Sequence, residues 1–293
     1  MDKSALSLTA HAKVNLALHV TGQREDGYHL IESLVAFTGF GDQITAQAAE
    51  TNSFKLCGPF AGALDDDPND NLIIKARDML ANFADENSMQ TMPVSLACEK
   101  NLPVASGLGG GSADAAATLN ILIQLWELDI SDTDLERIAL DLGADVPMCL
   151  QSQPLIAKGI GEDITLVSPF PKSHIVLVNP MVGVSTPVIF NALKTKQNSL
   201  LSSPTEIGRF EQLLKIIQQN RNDLQTPAID HCPEISDCLD TLLKTNPVSV
   251  RMSGSGASCF AIYENETNAF NAAKAIATLQ PHWFVKSTYL LGQ

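Results

Sequence analysis

The run Asn101-Leu102-Pro103-Val104-Ala105-Ser106-Gly107-Leu108-Gly109-Gly110-Gly111-Ser112-Ala113, with the apolar stretch behind it, constrains this chain more than any other feature. Gly107, Gly109, Gly110 and Gly111 remove side chains from four of five positions, which opens positive φ angles and lets backbone N–H groups come close to a ligand. Ser112 is a suitable N-cap, and residues 113–125 are rich in strong helix formers. Ala113, Ala116, Ala117, Leu119, Ile121, Leu122 and Leu125 make that helix apolar nearly all round, which predicts a buried helix. The plain alternative is a flexible turn, but a floppy linker has no need of a rigidly aimed helix behind it. Orphan N–H groups and the helix dipole at such an N-terminus favour a polyphosphate.

Two familiar phosphate loops are excluded. No Gly-Lys-Ser/Thr follows the glycines, and Lys100 precedes them, so this is not a Walker A loop. Counted from Gly107, the third glycine of a dinucleotide fingerprint is replaced by Ser112.

With 293 residues the chain has room for two compact domains or one large one. Its net charge of −14 argues against nucleic acid or an anionic membrane as partner. An anionic nucleotide then needs a local positive site. Six cysteines without C-x-x-C spacing suggest reduced thiols in a cytosol. His11, Lys13 and Asn15 interrupt any apolar leader, and no stretch approaches the roughly 20 apolar residues of a membrane span.

Along the chain, residues 6–20 alternate as a strand that places Lys13 and Asn15 on one face. A polar turn, 21–29, ends in Tyr28-His29; strands are predicted over 30–40 and 42–48. The acidic run 65–70 fits a solvated turn better than a metal loop. Asn71 starts a helix, and residues 93–99 form a strand leading into the glycines. Ser131 begins a further helix that stops at Gly143, which sets Asp145 at a constrained junction before Pro147. By spacing alone that aspartate reads as a cap. Ser168-Pro169-Phe170-Pro171 marks a boundary between residues 1–168 and 169–293. Beyond it come a buried strand over 174–178, a helix start at Thr186-Pro187 with Phe190 in its first turns, and a mobile polar stretch from Gln197 to Thr205. An amphipathic helix over 210–219 follows. Two strands around Ser253-Gly254-Ser255-Gly256-Ala257-Ser258 and a helix over 268–280 complete a small α+β layer. The second glycine-rich turn reads equally as a simple hairpin or as the far wall of a cleft.

The run from Pro103 to Ala113 resembles the ATP-binding signature of the GHMP kinases, a superfamily that includes galactokinase, homoserine kinase, mevalonate kinase and the diphosphocytidyl-methylerythritol kinases. Ser106 stands where that family more often has Gly or Ala. Ala12-Lys13-Val14-Asn15-Leu16, Arg24-Glu25-Asp26-Gly27-Tyr28-His29, Leu142-Gly143-Ala144-Asp145-Val146-Pro147, Val184-Ser185-Thr186-Pro187 and Met252-Ser253-Gly254-Ser255-Gly256-Ala257 extend the resemblance over nearly the whole chain, toward the diphosphocytidyl-methylerythritol branch. It implies an α+β fold of two domains, the first like domain 2 of ribosomal protein S5 and the second ferredoxin-like. It implies ATP-dependent phosphorylation of the 2-hydroxyl of the methylerythritol unit, a step of non-mevalonate isoprenoid synthesis in the cytoplasm, with Mg²⁺ beside the ATP.

By the same resemblance Asp145 is the base and Lys13 its cationic partner. Pro103, Val104, Ala105, Ser106, Gly107, Leu108, Gly109, Gly110, Gly111, Ser112 and Ala113 hold ATP, with Asn71, Lys100 and Asp114 also near the nucleotide. Asp114 stands where some relatives have Asn. Tyr28 and Phe190 sandwich cytosine, His29 bonds its polar edge, and Asn15 and Thr186 hold the erythritol or its diphosphate. The partners are thus ATP and a cytidine diphosphate derivative, and a monomer or a homodimer is left open. Homoserine and mevalonate kinases are the nearest rivals, but their substrates offer no base to stack on. A non-catalytic nucleotide-binding regulator would have no use for Lys13 and Asp145, and a nucleic-acid-binding module conflicts with the acidic charge.

Overall fold

A computed structural model of the chain describes residues 5–63, 71–202, 204 and 206–292. The acidic run 65–70 and Thr205 therefore lie outside the described residues.

The chain opens with β1 (Leu6–Gln23) and β2 (His29–Ala48). Where the sequence predicts two strands over 30–48, the structure has one. Gly41 is the reason: it lies against the backbone of Ala10 and His11, and a Cβ there would overlap the Ala10 carbonyl. Glycine in this strand marks a close approach of two backbones rather than a turn. β3 (Ser53–Cys57) follows, unassigned by sequence pattern, and then a single 3-10 turn at Ala61–Ala63.

Next come α1 (Leu72–Glu86), β4 (Val94–Glu99), α2 (Gly110–Trp126), α3 (Asp132–Leu142), α4 (Val146–Gln151), β5 (Leu155–Gly159) and β6 (Asp163–Leu166). The remaining elements are β7 (Ser173–Asn179), α5 (Thr186–Asn191), α6 (Phe210–Gln219), α7 (Gln225–His231), α8 (Glu234–Leu243), β8 (Ser249–Met252), β9 (Cys259–Tyr263), α9 (Glu266–Leu279) and β10 (Phe284–Leu290). The α+β class is as expected. The sequence pattern leaves α7 and α8 unassigned, in a stretch that holds Pro227 and Pro233. Both prolines sit where a helix tolerates them, Pro227 in the first turn of α7 and Pro233 just ahead of α8.

By packing, the chain divides into two units, neither continuous in sequence. One comprises residues 1–12, 41–104 and 109–151; the other comprises 13–40, 105–108 and 152–293. In the first, β2 pairs antiparallel with β4 from Gln43↔Glu99 to Ala48↔Val94, and β3 adds to β4 in parallel. Helices α1, α2, α3 and α4 pack on one another. At their centre α2 is buried from Ala113 to Leu119 and again at Ile121, Leu122, Leu125 and Trp126, as its all-round apolarity predicts.

In the second unit β2 pairs with β5 from Ile31↔Gly159 to Val35↔Leu155, and β5 with β6. A further antiparallel set runs β10, β7, β9, β8, with β7 fully paired to β10 from Ser173↔Leu290 to Asn179↔Phe284. Helices α8 and α9 cover these strands. Leu18, Val20 and Ile31 are buried in the same core as Val176, Val178, Ile189, Leu224, Ile235, Met252, Ala261 and Ile276. Burial of such side chains stabilises by about 1.5–3 kcal/mol each relative to exposure.

Candidate active site

The glycine run passes from one unit to the other, and each half is held by its own unit. In the second unit the segment 105–108 is gripped through its carbonyls. Lys13 N–H donates to Leu108 O at 2.8 Å, and Ser258 N–H donates to Ser106 O at 3.0 Å. The Ser253 hydroxyl donates to Gly107 O at 3.1 Å and accepts Asn15 N–H at 3.1 Å. Gly107 has φ +75°, and a Cβ on it would come within 2.7 Å of the carbonyl oxygens of Ser253 and Gly256. The second glycine-rich turn is therefore a β8–β9 hairpin that touches this segment directly, with no cleft between them. Three acceptors that would repel an anion are bound to the protein instead.

In the first unit the helix behind the loop begins earlier than the sequence predicts. Gly109, at φ +66°, precedes α2, which starts at Gly110, so Ser112 lies within the first turn and is not the N-cap. The glycines themselves open the helix: left-handed Gly109 turns the chain into it, and Ala113 N–H bonds Gly109 O at 2.9 Å. The effect is to put Gly110 and Gly111 at the N-terminus, with no side chain over the orphan N–H groups.

Beside this N-terminus lies a buried charge cluster. Lys100 Nζ is 2.5 Å from Asp42 Oδ2 and 2.6 Å from Asp114 Oδ2. The Cβ position of Gly110 is 3.2 Å from the same Nζ. Asp42 Oδ1 also accepts the N–H groups of Asn101 and Leu102, at 2.5 and 2.8 Å. Burial raises Asp114 to about 7, against the pull of Lys100 and with added repulsion from Asp42, and its Oδ1 is buried without a hydrogen-bond partner. The two carboxylates in turn push Lys100 up against its own burial, so the lysine stays charged. Asp42 is the member that sequence reasoning misses; it sits mid-strand behind Gly41, where no motif signals it.

Asn71 caps α1, its Oδ1 accepting Ile73 N–H at 2.9 Å. Asp145 is half-buried between Gly143, which ends α3, and Val146, which starts α4. Pro103 is buried and Val104 half-buried; Ala105 is exposed, and Ser106 and Leu108 are buried.

The second unit carries the other predicted residues. Lys13 and Asn15 are both buried on β1. Asn15 Nδ2 donates to Ser33 Oγ at 2.8 Å, while its Oδ1 is buried without a hydrogen-bond partner. The Thr186 and Ser255 hydroxyls share a hydrogen bond at 2.7 Å. Tyr28 stands 58% exposed on the turn after β1. The His29 ring lies 5.0 Å from that of Phe190 with planes 32° apart. Burial, and then the Lys196 ammonium, hold the His29 imidazole below its usual value, and its Nε2 is buried without a hydrogen-bond partner. The predicted residues thus form two groups, Asn71, Lys100, Asp114 and Asp145 in one unit and Lys13, Asn15, Tyr28, His29, Thr186 and Phe190 in the other.

Among the described residues no helix is long and apolar enough to cross a membrane. Comparison with known proteins agrees with the geometry. Residues 71–153 match the model of the GHMP kinases N terminal domain, and residues 200–281 that of the GHMP kinases C terminal domain. The chain is 49% identical to the 4-diphosphocytidyl-2-C-methyl-D-erythritol kinase of Agrobacterium fabrum, over 95% of this chain and 94% of that protein. It is 47% identical to the kinase of the same name from Sinorhizobium medicae, over 99% of this chain and 96% of that one. A crystal structure of 4-(cytidine 5'-diphospho)-2C-methyl-D-erythritol kinase superposes with TM-score 0.81 and 28% identity, over 98% of this chain and all (100%) of that chain. Homoserine kinase from Cytophaga hutchinsonii, at 17% identity and TM-score 0.71 over 99% of this chain and 95% of that one, shares the fold.

Proposed function

Because the chain belongs to the GHMP kinases, among the 4-diphosphocytidyl-2-C-methyl-D-erythritol kinases, we propose that it transfers the γ-phosphoryl group of ATP to the 2-hydroxyl of 4-diphosphocytidyl-2-C-methyl-D-erythritol. The products are the 2-phosphate and ADP, in the synthesis of isoprenoid precursors in the cytoplasm. The two matched segments fall on either side of residues 168 and 169, which supports that boundary as the sequence division between N- and C-terminal GHMP domains.

The observation that carries the choice of acceptor is the His29–Phe190 pair, with a buried imidazole nitrogen lacking a partner and Tyr28 exposed on the adjoining turn. Aromatic faces suit a flat base, and a neutral imidazole offers one hydrogen bond to its polar edge. Homoserine and mevalonate contain no ring to use them.

The chemistry assigned to the chain is general-base phosphoryl transfer. Asp145 accepts the proton of the attacking hydroxyl, which grows acidic as its oxygen bonds to phosphorus. Lys13 stabilises charge on the reacting oxygens. The bare N-terminus of α2 and the loop before it hold the phosphates, while Asn15 and Thr186 orient the acceptor. Among the described residues no cluster of three or more His, Cys, Asp or Glu side chains could hold a metal by itself. Mg²⁺ carried in on ATP would neutralise phosphate charge, and the Ser112 hydroxyl in the first turn of α2 would help hold it.

The test is a phosphoryl-transfer assay offering CDP-methylerythritol, homoserine and mevalonate in parallel. Transfer to the first alone is the expected result; transfer to either of the others, and none to the first, overturns the assignment.

A further inference from the structure

The polar stretch after α5 is fastened more firmly than a linker requires. The sequence predicts mobility from Gln197 onward, yet Asn198 bonds Val20 O through its backbone N–H at 3.1 Å and its Nδ2 at 3.0 Å. His19 Nε2 accepts Arg221 N–H at 3.2 Å, which leaves Nδ1 to carry the proton and donate to Ser199 O at 2.9 Å. Leu201 N–H donates to Glu32 Oε2 at 2.7 Å, and the Asn220 amide holds both Ser202 N–H, at 3.0 Å, and Ser202 O, at 2.8 Å. Ordering a strap with this many side chains costs conformational entropy, so what the strap presents matters.

It presents Lys196. The ammonium donates to Gln23 Oε1 at 2.9 Å, and the same Gln23 donates through Nε2 to Gly27 O at 3.0 Å. One amide thus ties the lysine to the turn that bears Tyr28 and leads into His29. Phe190, the ring beside His29, lies six positions before Lys196 on the same connection. Among the described residues Lys196 has no carboxylate partner, in a chain of net charge −14. A half-buried ammonium held by a neutral amide keeps its full charge available to an anion.

We propose that Lys196 is a substrate-binding residue that pairs with an anionic oxygen of the cytidine diphosphate moiety. The assignment rests on the cytidine-binding reading of His29 and Phe190. Its field at His29 supports it, because the same charge helps keep the imidazole neutral and able to bond a neutral base. The base and the phosphate are then read by one connected patch: Gln23 couples them, and the strap holds the lysine in place before the ligand arrives.

The test titrates CDP and, separately, cytidine into the full chain by calorimetry, for the parent protein, Lys196→Gln and Lys196→Arg. CDP binding should weaken about tenfold in Lys196→Gln and stay within roughly threefold in Lys196→Arg, while cytidine binding, measured at about pH 8 where the imidazole is neutral with or without the lysine, is the same in all three. Equal CDP binding by parent and Lys196→Gln overturns the role of Lys196 and leaves the cytidine site standing. An equal loss of CDP and cytidine in Lys196→Gln also overturns it, since the lysine then only shapes the strap. A parent protein that binds neither ligand removes the cytidine site itself, and the proposal with it.

Discussion

Asp114 occupies an unusual position for a carboxyl group, buried beside a second aspartate with one lysine between them. Two carboxylates and one ammonium leave a net negative charge in the interior if all three ionise, and burial opposes that state. The native carboxyl, raised to about 7, therefore keeps a proton that the unfolded chain releases above about pH 4. Between those values the native state binds more protons, so stability from this group falls as pH rises. Asp114→Asn leaves a neutral Lys100–Asp42 pair and removes that dependence. The urea midpoint of the parent should drop more steeply than that of Asp114→Asn from about pH 5 to about pH 7.5, so that the variant gains on it at the higher pH. Parallel pH profiles for the two proteins would count against a buried shared proton. For Asp145 the expectation is kinetic: Asp145→Asn should lower turnover by roughly 10²-fold or more while ATP affinity stays nearly intact. Unchanged turnover removes it as the base. Tyr28→Ala should act elsewhere, raising KM for the cytidine substrate with little effect on KM for ATP. A selective loss of ATP binding would reverse the two sites.

The β8–β9 hairpin and the glycine loop behave as one element built from two distant stretches of chain. Asn222 Nδ2 binds Met252 O and Gly254 O, Ser253 joins β1 to Gly107, and Ser258 takes Ser106 O. Gly107→Ala strains a positive φ and presses a methyl group against two backbone carbonyls that cannot swing aside. It should weaken nucleotide binding and lower the melting temperature together; Ser253→Ala, which removes only the bridging hydroxyl, should do both to a smaller degree. Wild-type affinity and melting temperature in Gly107→Ala would show that the contact is slack. Elements with strong local signals were legible in sequence: α6 appears over the predicted residues, α1 is capped by Asn71, and α3 begins at Ser131 and stops at Gly143. What sequence could not show depends on distant neighbours. Gly41 reads as a strand end because its reason, the Ala10 backbone, lies thirty-one positions away. Asp42 and Lys196 carry no motif, and each acquires meaning only through partners brought in by folding. The site residues named by motif were legible because short runs encode a loop or a turn locally.

At the scale of the whole chain, the sequence break at Ser168-Pro169 and the packing units fall in different places. Among the described residues, 169–293 contain β7 to β10 and α5 to α9, but their core is completed from the other end of the chain. Leu18, Val20 and Ile31 fill it. Leu18 N–H bonds Arg221 O at 2.9 Å, Asp223 N–H returns to Leu18 O at 2.8 Å, and Asp223 Oδ2 accepts Val20 N–H at 2.8 Å. A fragment of residues 169–293 would expose the apolar surface that these side chains cover and leave the backbone of the 221–223 turn without its strand partner. Each vacated large aliphatic position costs about 2–5 kcal/mol when emptied in a core, and losing three is comparable to the 5–15 kcal/mol that a whole domain has in hand. The isolated fragment should therefore lack dispersed amide resonances in NMR and bind a hydrophobic dye. Adding residues 13–40 through a flexible linker should restore part of the dispersion, because it returns the missing strand to its core. A natively dispersed spectrum from 169–293 alone would mean that β1 is a guest on that core and not a constituent of it.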